Sequence, residues 1–216
     1  MKNIFIGIDV QVSRPCVFVA IDASGSMVDS GWFKTPREIF QTLENLGHTA
    51  ALHLGIDASR VPLSGPRTWY WNGAKKQWRG KTEKDKGLGR HCEVVIKAHN
   101  LANPQWTPQR KDAPAWMQLG FDLFQSLEAF GATYEAFPSA AYTQLHEDPS
   151  VRITINFSKV WKRGTGDLFD AMAAAVTVRE FVEGRGSEVG GGDGLGSIIL
   201  PRPLVNPIEA VLRWPD

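Results

Sequence analysis

The sequence predicts an α/β fold built on a mixed five-stranded sheet with helices on both faces. Three observations support this fold class. Residues 3–10 form an apolar run that contains Asp9, the phrase Gly-Ile-Asp returns at residues 55–57, and an apolar stripe with helical spacing lies between them. Because an apolar run without a polar face is typical of a strand buried on both sides, the first run is predicted to lie centrally in the sheet.

Two further strands are predicted directly after the first one. Residues 16–21 and 27–33 are suited to strands, and residues 22–26 between them have the composition of a tight turn. Since connections this short join antiparallel neighbours, the first three strands are expected to form an antiparallel meander.

A helix and a fourth strand are predicted to follow the meander. Residues 36–47 begin with a proline suited to a first helical turn and end with a glycine suited to a helix C-terminus. The fourth strand, residues 51–56, leads into Asp57. A helical crossover returns a strand parallel to the first one, so Asp57 is expected beside Asp9 at the same edge of the sheet.

Residues 62–114 are interpreted as a basic, aromatic insertion between the fourth strand and the following helix. Asn72-Gly73 between two aromatic runs predicts a hairpin with a two-residue type I′ turn. Aromatic rings and cations together could stack on bases and contact phosphates, and the candidates are Trp69, Trp71, Lys75 and Lys76. The alternative is that the tryptophans fasten the hairpin to the body while the lysines are solvated.

The second half of the chain is predicted to supply the remaining helices and the fifth strand. Apolar spacing predicts helices over 92–100, 115–130, 139–146 and 167–182, and the fifth strand over 133–137, parallel to the first.

The end of the chain is rich in glycine. Residues 190–196 are predicted to be a flexible link, and residues 197–200 an edge strand. Residues 1–216 are interpreted as a single domain that carries one insertion.

Five acidic residues lie where the predicted elements meet. Asp9 and Asp57 close strands, Glu135 lies in the fifth strand, and Asp167 and Asp170 share one face of the last long helix. Carboxylates held together repel each other unless cations lie between them, and oxygen ligands suit Mg²⁺ or Mn²⁺. For the two helix residues, the alternative is that acids in a first turn complement the helix dipole.

Two such ions, about 4 Å apart, could activate a water and stabilise the leaving oxygen of a phosphodiester. In this interpretation Asp9 bridges both ions, and Asp57 and Asp170 each bind one. Either Glu135 or Asp167 completes the ligand shell or orients the water. All five are candidate catalytic residues, and the candidate metal ligands are Asp9, Asp57, Glu135 and Asp170.

The order of these features resembles the ribonuclease H-like fold, and the phrase over residues 167–171 is similar to the closing helix of RuvC-type Holliday-junction resolvases. More closely, the chain resembles the predicted ribonuclease H-like nucleases gathered as domain-of-unknown-function family 429. The matching phrases are Gly7-Ile8-Asp9, Gly55-Ile56-Asp57-Ala58, Gly89-Arg90-His91-Cys92-Glu93, Glu135-Ala136-Phe137-Pro138-Ser139, Asp167-Leu168-Phe169-Asp170-Ala171 and Ser197-Ile198-Ile199-Leu200-Pro201. This resemblance implies a ribonuclease H-like fold and a nuclease activity.

Further cations are candidate contacts for a phosphate backbone. Arg90 could anchor the substrate, or it could form a helix ion pair with Glu93. The three cations ahead of the acidic helix could offset the repulsion between carboxylates and phosphates, or could be solvated loop charges. These are Lys159, Lys162 and Arg163.

Composition excludes several classes of protein. With 43% hydrophobic residues and a net charge of +1, the chain is not disordered and has no bulk attraction to nucleic acid or anionic membrane. No apolar run reaches the about 20 residues needed to cross a membrane, and the cysteine and histidine spacings match no zinc site. We expect a cytoplasmic protein that binds no membrane and could form a homodimer.

The leading functional hypothesis is a divalent-metal-dependent nuclease. The alternative is a non-catalytic scaffold of the same fold that binds nucleic acid or protein. An actin-like ATP-binding domain also opens with Gly-Ile-Asp, but it needs a duplicated domain that 216 residues cannot hold.

Overall fold

The structure is a computed structural model that describes residues 2–145 and 165–215. In chain order its elements are β1 (Lys2–Asp9), β2 (Cys16–Asp22), β3 (Met27–Phe33), α1 (Pro36–Gly47), β4 (Ala50–Asp57), β5 (Trp69–Asn72), β6 (Gln77–Gly80), α2 (His91–Ala98), a 3₁₀ turn (Arg110–Asp112), α3 (Ala115–Leu127), β7 (Ala132–Glu135), α4 (Pro138–Leu145), α5 (Thr165–Val182), β8 (Ser187–Gly190), β9 (Ser197–Leu200) and α6 (Glu209–Leu212).

The central sheet has five strands in the order β3-β2-β1-β4-β7. β1 and β2 are antiparallel, as are β2 and β3, whereas β4 is parallel to β1 and β7 is parallel to β4. This confirms the predicted α/β class, the mixed five-stranded sheet and the antiparallel meander.

Successive side chains of β1 point to opposite faces of the sheet, and a separate hydrophobic core lies on each face. Ile4, Ile6 and Ile8 pack in a core that includes residues of α1 and α3. Phe5 points to the other face and packs in a core that includes residues of α5. Helices therefore cover both faces, as the sequence predicts.

Glycines in β1 and β4 let α5 approach the second face closely. A Cβ atom at Gly7 would overlap the backbone of Ala171 and Ala175, and one at Gly55 would overlap Val178. Since each glycine comes two residues before an aspartate, the Gly-Ile-Asp phrase seats the helix and places a carboxylate at the adjacent strand end.

A third core joins the insertion to the end of the chain. Residues of α2 pack there with Val189, Ile198 and Val211, and Trp78 donates a hydrogen bond from Nε1 to the Ala210 carbonyl at 2.9 Å. Residues 62–114 are therefore packed against the C-terminal segment, a contact that the sequence did not indicate.

Two predictions about hairpins need correction. β9 is a strand as predicted, but it pairs with β8 in a separate hairpin, and a bridge between Ile199 and Ala136 connects that hairpin to the residue after β7. The glycine-rich residues form the loop of that hairpin.

The β5–β6 turn is also longer than predicted. Asn72 pairs with Gln77, so four residues form the turn, and Lys76 takes the positive φ of 47°. The Asn72 side chain accepts a hydrogen bond from the backbone N–H of Lys75 at 3.1 Å, a local turn that competes with a two-residue loop.

The helices within the described ranges are all too short or too polar to cross a membrane.

Candidate functional site

Three parallel strands end together at one edge of the sheet. The register aligns Asp9 of β1 with Asp57 of β4, and Ile56 of β4 with Glu135 of β7. This edge borders a cleft of about 300 Å³ between the sheet, α5 and the third core. Its acidic lining residues are Asp9, Asp57, Glu93, Glu135 and Asp170, and the described lining contains no lysine, arginine or histidine.

Asp9 is a buried carboxyl group at the end of β1. Its residue is 3% exposed, and the Gln11 side chain donates a hydrogen bond from Nε2 to Oδ2 at 3.1 Å. Burial, with smaller contributions from Asp170 and Asp167, raises the pKa of Asp9 from 3.8 to about 6. The Asp9 carboxyl therefore titrates close to neutral pH.

Asp57 lies among other carboxyl groups. Burial raises its pKa well above the ordinary value, and Asp9, Asp170 and Glu135 raise it further. Within the described residues, its side chain has no hydrogen-bond donor and no ion-pair partner. The charged form of this carboxyl is therefore strongly disfavoured unless a cation reaches it.

Asp170 joins the two strand aspartates from α5. The Tyr142 hydroxyl of α4 donates a hydrogen bond to Oδ1 of Asp170 at 2.9 Å. Burial nevertheless raises the pKa of Asp170, and Asp167 adds to the effect. Burial and the adjacent Asp170 also raise the pKa of Tyr142, so the hydroxyl stays protonated and able to donate.

Asp167 differs from the other aspartates because it has a cation of its own. Nη2 of Arg14, in the loop after β1, lies 2.8 Å from Oδ1 of Asp167. Its charge is therefore balanced within the protein, and Asp167 is not among the residues that line the cleft.

Glu135 also has a partner within the protein, and its predicted role as a metal ligand stays a prediction. Arg90 forms a two-pronged ion pair with it, in which Nη1 donates to Oε2 at 2.8 Å and Nη2 donates to Oε1. The backbone N–H of Arg60 donates a further hydrogen bond to Oε2 at 2.8 Å. Both oxygens are thus occupied by donors from the protein.

Arg90 is fully buried, at 0% exposure, so it cannot contact a substrate in this structure. It pairs with Glu93 as well as with Glu135, and Glu93 also accepts hydrogen bonds from Thr107. The ion-pair alternative for Arg90 is therefore the one that the structure supports. The sequence signal was present in the spacing of Arg90 and Glu93, but nothing in it indicated burial of both.

Other neighbours of the aspartates were missed by sequence reasoning. Gln11, Tyr142 and Arg14 each hold one of the acidic side chains. Gln11 lies two residues after Asp9 and could have been suspected, whereas the other two come from separate elements and left no local signal.

The predicted nucleic-acid contacts of the hairpin lie away from the acidic cleft. None of Trp69, Trp71, Lys75 and Lys76 is among its lining residues. Trp71 stacks edge-to-face on Trp78, with ring centroids 5.5 Å apart, which favours a packing role for this ring. Lys75 and Lys76 are exposed in the turn. Lys159, Lys162 and Arg163 lie outside the described residues.

The aspartates suit a hard cation by donor chemistry, because carboxylate oxygens are the ligands that Mg²⁺ and Mn²⁺ prefer. However, in residues 2–145 and 165–215 no group of three or more His, Cys, Asp or Glu side chains is arranged to hold a metal ion. The candidate ligands therefore fit such an ion in chemistry and charge, while their side chains do not form a closed coordination shell.

Comparison with protein-family models, curated proteins and solved structures finds no match to this chain.

Proposed function

We propose that this protein is a divalent-metal-dependent nuclease with a ribonuclease H-like fold, related to the predicted nucleases of domain-of-unknown-function family 429. The strand order of the central sheet and the aspartates at its edge support the proposal. The substrate class is nucleic acid. Homodimer formation and a cytoplasmic location stay predictions from the sequence.

The observation that carries the proposal is an unbalanced set of carboxyl groups. Asp9, Asp57 and Asp170 lie at the ends of two central strands and on α5, and burial, with smaller contributions from neighbouring carboxyl groups, raises all three pKa values. Removing a carboxylate from water without a partner is costly, and burying charge next to like charge adds to the cost. Perturbed acids in a cleft are typical of functional sites, where a cation or substrate offsets the cost.

Asp9, Asp57 and Asp170 are the residues that would hold the metal, while the partners already bonded to Glu135 and Asp167 leave those two in supporting positions. A bound divalent ion would lower the pKa of a coordinated water and stabilise the leaving oxygen of a phosphodiester. The chain itself contributes fixed geometry, because Gln11 holds the Asp9 carboxyl and Tyr142 holds that of Asp170. Arg14 offsets part of the charge of Asp167.

A cleavage assay tests this function. Wild-type protein is expected to cleave a mixed panel of DNA and RNA substrates when Mn²⁺ is added, and Asp9→Asn is expected to lose that activity without any fall in its melting temperature. Asp122→Asn is the matched control, because Asp122 lies on α3 with its side chain 56% exposed, in a surface pair with Arg110. Undiminished cleavage by Asp9→Asn would contradict the proposal.

A second function is a non-catalytic scaffold that binds nucleic acid or protein. The observation that favours it is the lack, in the described part of the chain, of a side-chain group arranged to hold a metal. In that case the aspartates would be protonated or hydrated, and neither Mg²⁺ nor Mn²⁺ would bind. Nucleic-acid binding without any metal-dependent cleavage would select this function.

A further inference from the structure

A second cavity lies beside the acidic cleft and has the opposite charge. It has a volume of about 810 Å³ and lies between the β5–β6 hairpin, the loop that contains residues 84–88, and α2. It shares no lining residue with the acidic cleft, although α2 contributes Glu93 to the cleft and Val94 to the cavity. We call it the basic cavity.

Cations dominate the polar lining of the basic cavity. Four lysines and one arginine line it, and these are Arg67, Lys76, Lys84, Lys86 and Lys97. The acidic residue of the described lining, Asp85, is already engaged, because both of its oxygens accept hydrogen bonds from Arg79 at 2.6 and 2.8 Å. The cavity therefore presents an excess of positive charge to whatever enters it.

Arg67 lies among aromatic rings, and two of its guanidinium nitrogens lack a hydrogen-bond partner. Its guanidinium carbon is 4.3 Å from the centroid of the Tyr70 ring and 5.4 Å from that of Trp106. Nε and Nη1 are buried without a hydrogen-bond partner. Leaving a buried donor of a charged group without a partner is unfavourable, so an anion that reached this guanidinium would offset part of that cost.

The aromatic lining is held rigidly. Tyr70, Trp71 and Trp106 line the cavity, and the Tyr70 hydroxyl accepts a hydrogen bond from the backbone N–H of Gly87 at 2.6 Å, which joins the hairpin to the opposing loop. Trp71 is braced by Trp78. Packed rings beside these cations are suited to a ligand that is flat and apolar at one end and anionic at the other.

We propose that the basic cavity binds a nucleoside phosphate, with the phosphate against Arg67 and the lysines and the base against the aromatic lining. The same chemistry is offered by a free mononucleotide and by the phosphorylated end of a single strand. Binding here requires neither a metal nor hydrolysis, so this site goes beyond the proposed nuclease and can be tested separately from it.

Calorimetry at low ionic strength tests the proposal with AMP as the probe, and with adenosine and inorganic phosphate as its two halves. We expect saturable binding of AMP by wild type and weaker binding of both halves. Lys76→Glu is expected to weaken AMP binding about tenfold, as loss of a charge-assisted contact does. The matched control is Lys75→Glu, which makes the same charge change in the same turn but at a residue that does not line the cavity, and which should stay near wild type.

Binding of AMP by Asp9→Asn with wild-type affinity would support a site separate from the acidic cleft. A 5′-phosphorylated hexanucleotide distinguishes the two sources: tighter binding than AMP assigns the site to strand ends, and equal or weaker binding assigns it to free nucleotides. The proposal is overturned if wild type binds neither AMP nor the hexanucleotide. It is also overturned if inorganic phosphate binds as tightly as AMP, or if Lys75→Glu and Lys76→Glu lose affinity equally.

Discussion

Single carboxyl groups at the edge of the sheet differ sharply in how their charge is balanced. Glu135 and Asp167 each meet an arginine, whereas Asp57 meets three other carboxyl groups and, in the described part of the chain, no basic side chain. Two classes of acid therefore lie within one site. Those paired with arginine have their charge offset within the protein, and those left unpaired are the ones that the proposed function assigns to a cation.

Removing the charge of Asp9 is expected to stabilise the metal-free protein at neutral pH. The pKa of Asp9 rises from 3.8 to about 6 on folding, so between these values the folded state holds a proton that the unfolded chain has released. The free energy of unfolding of the wild type therefore falls as pH rises through this window, by up to about 3 kcal/mol for this group, and stays low above it.

Urea denaturation of wild type and Asp9→Asn, at about pH 4 and about pH 8 without metal, checks this sign. The variant should be more stable than wild type at the higher pH and should lose that advantage at the lower one. A difference between the two proteins that is the same at both pH values would contradict the raised pKa.

Among the basic residues of the described chain, Arg90 is the one whose replacement is expected to lower the free energy of unfolding most. Replacing it with methionine removes the partner of two buried carboxylates, Glu93 and Glu135, and should lower the free energy of unfolding by about 3–5 kcal/mol. Arg110→Met, which breaks a pair whose side chains are both 56% exposed, should change it by less than about 1 kcal/mol. Similar losses in both variants, measured by urea denaturation, would argue against a buried network.

At the scale of elements, the contact between α5 and the sheet determines where the third aspartate lies. Gly7 and Gly55 leave room for the backbone of α5, and the helix face that meets them carries small residues such as Ala171 and Ala174. Asp170 precedes that face by one residue. Its distance from the strand aspartates therefore depends on how closely the helix packs.

Gly7→Ala is expected to push α5 away from β1. The added methyl would overlap backbone atoms that cannot rotate aside, so the cost in unfolding free energy should be about 1–3 kcal/mol or more, and metal-dependent cleavage should fall with it. Gly65→Ala is the matched control, because a Cβ there meets nothing within 4 Å. Thermal melting and cleavage rates of the two variants measure both effects, and wild-type behaviour of Gly7→Ala would contradict the packing argument.

Elements with strong apolar patterns were predictable, and those held by distant contacts were not. β1, β4 and α3 lie where their patterns place them, within a few residues. β8 gave no signal because Val189 is the buried residue of an otherwise polar strand, and its pairing with β9 is fixed by packing against α2.

The site was predictable to a similar degree. Parallel strand ends bring Asp9 and Asp57 together by register alone, which a sequence pattern can indicate. Glu135 is aligned with Ile56 rather than with Asp57, so its side chain is one position out of phase with the aspartates. That register depends on how β7 docks, and no local pattern records it.

Over the whole molecule, the acidic cleft lies where the central sheet meets the third core. Its lining combines Asp9 and Asp57 from the sheet with Ile198 of β9 and Phe137, which both belong to the third core. α2 contributes to this cleft and to the basic cavity beside it. An acidic and a basic concavity therefore lie next to each other, and the two proposals assign a metal-dependent reaction to the first and an anionic ligand to the second.

The most direct test of the central claim is a calorimetric titration of Mn²⁺ into wild type, Asp9→Asn and Asp122→Asn. The claim is that the aspartates at the strand ends are a cation site. It predicts saturable Mn²⁺ binding by wild type and Asp122→Asn, and loss of that binding in Asp9→Asn. No saturable binding by wild type, or the same isotherm for all three proteins, would contradict it.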